Sequence, residues 1–345
     1  MSFNGALAVC QSGFEGLLAR EMAGIGLGGA SSGPGWALAA PAPEPVPGRA
    51  LDSLRRAAFP HAVLESPVAV AGESVNALAQ GVMELFAGGL RGERIDSPWP
   101  CAFAGCPGAA GLGRRAASVE AAFKALLRRK LGRVAKLASA ERPRVGPARG
   151  LFVWFTDFGR VQVARAAHMN GPSRMADDDQ APSRSYLKVE ESYAIIGAEP
   201  RPGESVCDLG AAPGGWSYSA AKRGARVVAV DNGPMKGGAL GHPLIEHRRA
   251  DAFGFGPGGS AAYDWLFCDM LEDPRRVLES IVRPWLDGGW CRRFVINLKF
   301  GRVDPITLLS DLRSPDSPFA TRAAGVRIVH LYHDREEFTV TGTVA

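Results

Sequence analysis

One stretch, CDLGAAPGGWSYSAAKRGARVVAVDNGPM from Cys207 to Met235, restricts the fold more than any other part of the chain. Its two apolar runs each end in an aspartate, and a glycine-rich turn and a helix-forming segment lie between them. This order indicates two strands of a parallel sheet joined by a helix. Strand and helix patterns alternate from about residue 185 to the end of the sequence. We therefore predict an α/β second half with a mostly parallel sheet and helices on both faces.

The turn after the first strand is a candidate ligand site. Glycine permits close backbone approach, and the turn leads into a helix N-terminus, which favours bound polar groups. The turn is not GxGxxG, and Pro213 fixes part of it, which argues against a pyrophosphate cradle. Asp231 ends the next strand and is predicted to accept hydrogen bonds from ribose hydroxyls, while Asp251 is predicted to reach an adenine edge. Ribose and base without pyrophosphate fit S-adenosylmethionine better than NAD; the alternative is a glycine-rich turn with solvated aspartates.

Four ionisable residues are spread along this half: Lys188, Asp269, Lys299 and Glu337. The ends of parallel strands meet at one edge of a doubly wound sheet, so these residues are predicted to meet beside the cofactor. Two neighbouring lysines lower each other's pKa, and a lysine shifted in this way can accept a proton from an alcohol. A single lysine at a strand end is more often a solvated cap, which is the alternative for each residue taken alone.

Six short motifs resemble the RlmM type of FtsJ-like methyltransferases: CDLGAAPGGWSY, VDNGPM, CDM, NLK, APSRSYLKVEES and YHDREE. The resemblance covers about residues 165–345 and implies a Rossmann-like domain that methylates a cytidine 2'-hydroxyl of 23S ribosomal RNA. It also implies a catalytic tetrad, in which Lys299 accepts the proton, formed by Lys188, Asp269, Lys299 and Glu337. The implied S-adenosylmethionine contacts are Ser185, Ala212, Pro213, Gly214, Gly215, Asp231, Asp251 and Asp269.

The motifs depart from the family pattern at the turn and leave one choice between adjacent acids. The turn often reads CPGG in the family and reads APGG here, a change that backbone contacts should survive. Glu336 adjoins Glu337, and Glu337 is preferred because it leads directly into the strand FTV.

The first half of the chain shows α+β patterns. Strands are predicted in GALAVC, GWALAA and HAVLESPVAVA, helices in GFEGLLAREMAGIGL and ESVNALAQGVMELFAG, and a hairpin in LFVWFTDFGRVQVARAA. The resemblance implies a ferredoxin-like segment and a THUMP domain, an RNA-binding module. We predict a ferredoxin-like segment at 1–60, a THUMP-like domain at 61–167, a linker at 168–184 and the methyltransferase domain at 185–345.

The most basic stretch runs from Arg114 to Arg144 and contains only two acids, Glu120 and Glu141. Its apolar residues recur at helical spacing, so one face of a helix can pack while the other meets RNA phosphates. The alternative is an ordinary solvated basic helix. Looped or single-stranded RNA is the expected partner, because a 2'-hydroxyl must enter a pocket.

Composition limits the remaining classes. The chain has 345 residues, a net charge of +5 and no apolar run of the roughly 20 residues that a membrane span needs. Its six cysteines form no CxxC pair, so we expect free thiols, a cytoplasmic location and no metal, membrane or DNA partner. Two other functions stay open: a methyltransferase with another substrate, and an RNA-binding ribosome-assembly factor with weak or no turnover.

Overall fold

The structure is a computed structural model that describes residues 5–28, 31–39, 48–106, 109–258 and 261–345. The chain divides into two compact units, Met1–Gly171 and Pro172–Ala345. Among the described helices, none is long and apolar enough to cross a membrane. The boundary between the units falls within the predicted linker.

Unit 1 is built on a sheet of nine strands. Its strands are β1 (Ala6–Val9), β2 (Ser31–Gly33), β3 (Trp36–Ala39), β4 (Ala62–Glu65), β5 (Val68–Ala71), β6 (Trp99–Gly105), β7 (Ala138–Ser139), β8 (Val145–Phe155) and β9 (Arg160–Asn170). Its helices are α1 (Glu15–Gly24), α2 (Gly48–Arg55), α3 (Val75–Gly88), α4 (Leu112–Lys130) and α5 (Gly132–Lys136). The main path of the sheet runs β2-β3-β1-β4-β9-β8-β6-β7, and β5 pairs with β9. One sheet therefore contains strands from both sides of the predicted boundary at residue 60. The division into ferredoxin-like and THUMP-like parts stays a prediction.

The predicted strand at residues 61–71 is wrong as a single element, because it is two strands. Ser66 has a φ of 47°, in the left-handed region, and Pro67 has no backbone N–H for the ladder. The chain therefore bends between β4 and β5. Both strands still pair with β9, β4 near its end and β5 near its start. The predicted hairpin at 151–167 is present as β8 and β9, with longer strands than the pattern showed.

The basic stretch is not one helix either. Helix α4 ends at Lys130, and α5 follows after Leu131. The amphipathic pattern is confirmed for α4, since Val119, Phe123 and Leu127 are fully buried in a core shared with α3 and β8. At the end of α4, Arg128, Arg129 and Lys130 are all exposed.

Unit 2 is an α/β domain with seven strands: β10 (Ser205–Leu209), β11 (Arg226–Val230), β12 (Ile245–Arg248), β13 (Tyr263–Cys268), β14 (Cys291–Lys299), β15 (Ala323–Val329) and β16 (Glu337–Val344). Its helices are α6 (Tyr186–Ile196), α7 (Gly215–Ala221), α8 (Pro274–Val277), α9 (Arg283–Asp287), α10 (Pro305–Arg313) and α11 (Pro318–Arg322). A π-helical segment, Leu278–Val282, joins α8 to α9. Short 3₁₀ helices lie at Gly237–Ala239 and Ala252–Gly254.

The strand order in unit 2 is β12-β11-β10-β13-β14-β16-β15. The first five strands are parallel, and only β16 runs antiparallel to its two neighbours. The predicted α/β class with a mostly parallel sheet is confirmed. Apolar residues of α6, α7 and the central strands form the core of this unit. Helices α10 and α11 were not predicted from the sequence.

Candidate active site

The candidate site lies at the carboxyl edge of the parallel strands of unit 2. Strands β10, β11, β13 and β14 all end at this edge, and the turn after β10 and the residues Asp231, Asp269 and Lys299 lie there. Strand β16 starts at the same edge because it is antiparallel to β14. The pairing places Glu337 directly opposite Lys299.

The four predicted tetrad residues form one cluster. Lys299 Nζ donates to Asp269 Oδ1 at 2.5 Å and also to Glu337 Oε2. Lys188 Nζ forms an ion pair with Glu337 Oε1 and lies 3.9 Å from Asp269 Oδ2. Each lysine thus contacts both acids, and Glu337 bridges the two lysines through different oxygens. The side chains expose between 5% and 19% of their surface.

The charge balance of this cluster differs from the expectation. Burial alone would lower the pKa of Lys299, but the carboxylates of Asp269 and Glu337 outweigh it and raise this pKa above its ordinary value. The lowered pKa that a lysine neighbour and burial would favour is therefore not found for Lys299, because the two opposing carboxylates decide the balance. Burial would raise the pKa of Glu337, yet the ammonium groups of Lys188 and Lys299 lower it. The cluster holds two cations and two anions.

The turn between β10 and α7 is held by Asp231. Its Oδ2 accepts a hydrogen bond from Ala212 N at 3.0 Å, and its Oδ1 accepts one from Gly233 N at 2.7 Å. Gly214 has a φ of 105°, which disfavours any residue with a side chain, and a Cβ there would lie 2.5 Å from Ala239 Cβ. The peptide bond between Ala212 and Pro213 is cis. The glycine that marked the turn in the sequence, Gly214, is therefore required by the backbone conformation and the close packing at this position.

Ser185 lies against this turn at the start of α6. A Cβ on Gly215 would come within 2.9 Å of Ser185 Oγ, so the two residues are in close contact. The carbonyl of Ser185 accepts a hydrogen bond from the indole of Trp216 at 2.9 Å, and its hydroxyl is 2.7 Å from that of Ser183. The beginning of α6 is therefore fixed to the beginning of α7.

Asp251 is separate from these contacts. It follows β12, is exposed, and its Oδ1 accepts from Phe253 N at 3.0 Å at the start of a 3₁₀ helix. Asp251 therefore has a local structural role as the cap of this 3₁₀ helix. Its contact with an adenine stays a prediction.

Three buried acids were not predicted as part of the site. Asp208 accepts from Ser217 Oγ at 2.6 Å, and burial raises its pKa to about 7. Asp334 accepts from Leu331 N and Thr339 Oγ1, and burial followed by the charge of Glu337 raises its pKa. Burial also raises the pKa of Glu191 to about 7, although three backbone N–H groups bond to it. In the sequence, the signal for Asp208 was an acid inside an apolar strand. The signal for Glu191 was its position three residues after Lys188, on the same side of a helix.

One part of unit 2 is similar to a known family. Residues 181–277 match the model of the family described as FtsJ-like methyltransferase. This range begins just before α6 and ends at α8, so it contains Lys188, the glycine turn, Asp231 and Asp269. The resemblance seen in the motifs is confirmed by this match.

Particular relatives carry a more specific name. A Laribacter hongkongensis protein called "Ribosomal RNA large subunit methyltransferase M" is 40% identical over 220 residues, which are 59% of this chain and 62% of the relative. A Xanthomonas axonopodis pv. citri protein of the same name is 42% identical over 170 residues, 47% of each chain. The chain therefore matches about half to three fifths of the length of these relatives.

Similarity among solved structures is weaker. TrmN from Thermus thermophilus overlays with a TM-score of 0.37 at 16% sequence identity, and 99% of each chain is covered. A likeness at this level supports no conclusion about the chain.

Proposed function

We propose that this chain is an S-adenosylmethionine-dependent methyltransferase of large-subunit ribosomal RNA, acting on a cytidine 2'-hydroxyl of 23S RNA. The observation that carries the proposal is the closed cluster of Lys188, Asp269, Lys299 and Glu337 beside the glycine turn. A ribose hydroxyl needs a group that can take its proton, and amine or carboxylate acceptors do not require a paired-lysine site. The names of the relatives in the comparison support the ribosomal substrate.

The turn and its neighbours fit the adenosine part of the cofactor. Each carboxylate oxygen of Asp231 accepts one backbone N–H and keeps a lone pair that can accept from a ribose hydroxyl. Gly214 and Gly215 let Ala239 and Ser185 pack directly against the backbone of the turn, which fixes the turn beside Asp231. We assign Ala212 to Gly215, Ser185, Asp231, Asp251 and Asp269 to this binding site. When bound, the cofactor supplies an electrophilic methyl group on a positively charged sulfonium.

Lys299 is the proposed general base. In its neutral form, its Nζ accepts the proton of the 2'-hydroxyl, and the oxygen becomes a better nucleophile. Glu337 and Asp269 hold this nitrogen from two sides, so its position is set before RNA binds. Lys188 keeps the bridging acid in place and remains the charged partner. Positioning of hydroxyl and base accounts for a large part of the rate.

The raised pKa of Lys299 restricts how this base works. With two cations and two anions, the cluster is close to neutral, and the raised pKa of Lys299 keeps this lysine protonated in the free enzyme. A further positive charge bound nearby makes the charged form of each lysine less favourable. We therefore propose that cofactor binding increases the neutral fraction of Lys299 above its small value in the free enzyme.

Substitution of Lys299 tests the proposal. Lys299→Ala should retain binding of cofactor and RNA and lose turnover by roughly 10²–10⁴-fold, as is typical of positioned acid–base groups. Lys299→Arg should be nearly as inactive, because guanidinium stays protonated. Arg201→Ala, an exposed residue in the loop before β10, serves as the control. Lys299→Arg activity close to that of the native protein would exclude proton acceptance by this residue.

The product distinguishes the remaining functions. Unmodified 23S RNA would be treated with protein and S-adenosylmethionine, digested to nucleosides and analysed by mass spectrometry. We expect 2'-O-methylcytidine. Another 2'-O-methyl nucleoside would refute the cytidine assignment, and a base-methylated nucleoside would refute the ribose assignment. RNA binding without any methylation would favour an assembly factor.

A further inference from the structure

Glu191 is a fully buried carboxylate that holds two backbone segments of unit 2 together. Its Oε1 accepts from Ser173 N at 2.9 Å and from Tyr332 N at 2.8 Å. Its Oε2 accepts from His333 N at 3.2 Å. One side chain thus satisfies three N–H groups from segments that are about 160 residues apart in sequence.

Both ends of this contact lead to the candidate site. Glu191 lies on α6 three residues after Lys188, on a neighbouring part of the same helix surface. Tyr332 and His333 belong to the loop between β15 and β16, which ends at Glu337. Glu191 therefore connects the helix that carries one tetrad lysine to the loop that carries the bridging acid.

The loop is also held by contacts within itself and by a hydrogen bond of 2.8 Å from Phe300 N, directly after β14, to Glu336 O. Asp334 accepts from Leu331 N at 2.9 Å, and the imidazole of His330 contacts Arg335 O at 2.7 Å. Met175 N donates to His333 Nε2 at 2.9 Å, which adds a tie to the segment that also contains Ser173. These contacts make the loop stiff, and Glu191 fixes where the stiff loop sits against α6.

We propose that Glu191 is a positioning residue of the methyl-transfer site, which, together with the pairing of β16 with β14, sets the distance of Glu337 from Lys188 and Lys299. The inference rests on the proposed function of this cluster. A carboxylate suits the role because its two oxygens can accept three backbone donors in one fork, whereas an amide has a single acceptor oxygen. Displacement of a catalytic group by about 1 Å is enough to lower a rate by roughly 10²-fold.

Glu191→Gln is the most informative variant, because it preserves size and shape. The amide oxygen can keep the bonds from Ser173 and Tyr332, but the amide nitrogen would face the N–H of His333. We expect kcat to fall roughly 10–100-fold while KM for cofactor and RNA stays within about twofold of the native value. Glu191→Asp keeps both acceptor oxygens on a shorter side chain and should recover part of the lost kcat.

A matched control exists in unit 1. Glu21 is also buried, lies on α1, and accepts three backbone hydrogen bonds, two from Ala58 N and one from Phe59 N. Glu21→Gln should lower the melting temperature comparably without lowering kcat. An equal loss of kcat in the two variants would show that Glu191 acts only through stability.

The charge state of Lys299 provides a readout that does not depend on activity. Asp269 and Glu337 both contact Lys299 Nζ and raise its pKa. Lys188, which pairs with Glu337, carries a positive charge in contrast to these two acids. If Glu191→Gln moves Glu337 away, the pKa of Lys299 should fall, and its Nζ should titrate at lower pH in ¹⁵N NMR of the full chain. Lys299→Arg would assign the signal.

The outcomes separate the two proposals. An unchanged Lys299 titration together with native kcat would overturn the positioning role while leaving the methyltransferase proposal intact. A native protein that methylates no RNA would overturn the proposed function, and the NMR titration would still decide whether Glu191 positions Glu337.

Discussion

At the scale of single residues, the contact of Lys299 with two carboxylates determines how the proposed reaction depends on pH. Asp269 and Glu337 favour the ammonium form, so the pKa of Lys299 lies above its ordinary value despite burial. At neutral pH the neutral, proton-accepting form is therefore a small fraction. This fraction grows about tenfold with each pH unit until the pKa is reached.

We predict that the single-turnover methylation rate rises continuously with pH through the neutral range. The expected slope of log rate against pH is about one, because one proton must leave before attack. Rates would be measured between about pH 6.5 and 9 with saturating cofactor and RNA, and intact RNA would be verified at each pH. A rate that is flat from below neutrality would show that no group with a raised pKa limits the reaction.

Asp231 has a second role that the sequence did not reveal. Besides the predicted ribose contact, its carboxylate holds the backbone of Ala212 and Gly233. Asp231→Ala should weaken S-adenosylmethionine binding by about 1–3 kcal/mol, the cost of losing hydrogen bonds to a charged acceptor. Asp231→Asn keeps one acceptor oxygen and should lose less.

Calorimetry on both Asp231 variants would measure this order, with circular dichroism to confirm folding. Asp273→Ala is a suitable control, because Asp273 also caps backbone N–H groups, at the start of α8. If Asp231→Ala binds the cofactor with native affinity, Asp231 does not belong to the binding site.

At the scale of elements, the apolar patterns of the sequence predicted the strands and helices that local sequence determines. Strands β10, β11 and β13 appear as short apolar runs next to glycine and aspartate, and the order of these strands with α7 fixes a parallel sheet. The approach of Lys188, Asp269, Lys299 and Glu337 followed from that topology. The resemblance to a known family assigned their roles.

Other features depend on contacts that a linear pattern does not contain. The break between β4 and β5 arises from the left-handed Ser66, a conformation that serine rarely adopts. The raised pKa of Lys299 depends on distances between side chains, and the two acids outweigh the effect of burial. Glu191 is joined to the loop before β16 across much of the sequence, so only the fold shows its role.

Helix α4 is the element for which two interpretations remain. Its last turn carries Arg128, Arg129 and Lys130, all exposed, and cations at a helix C-terminus also stabilise the helix dipole. RNA binding and helix stabilisation therefore predict different effects for the same substitutions.

We predict that changing these three residues to Gln weakens RNA binding and reduces its salt dependence. The slope of log K against log salt should fall by about 0.7–0.9 for each phosphate that the protein no longer neutralises. Filter binding at several salt concentrations measures it, and the triple change of Arg91, Arg201 and Arg226, exposed residues elsewhere, controls for net charge. An unchanged slope with a lower melting temperature would assign these residues to helix stability.

At the scale of the whole molecule, the chain consists of two units that each contain a sheet and an apolar core. In unit 1, α3 and α4 cover one face of the nine-stranded sheet. In unit 2, α6 and α7 pack on the central parallel strands, and the complete tetrad, the glycine turn and Asp231 belong to this unit. A unit of this size can bury enough surface to fold independently.

We predict that a fragment of residues 172–345 folds and binds S-adenosylmethionine with the affinity of the full chain. Its sheet, the Glu191 contact to Ser173 and every proposed cofactor residue remain. RNA affinity should fall, since the fragment lacks the exposed bases of α4, and methylation at limiting RNA should fall with it. Calorimetry with cofactor and filter binding with RNA measure the two affinities separately. If the fragment binds RNA as tightly as the full chain, unit 1 does not contribute to substrate recognition.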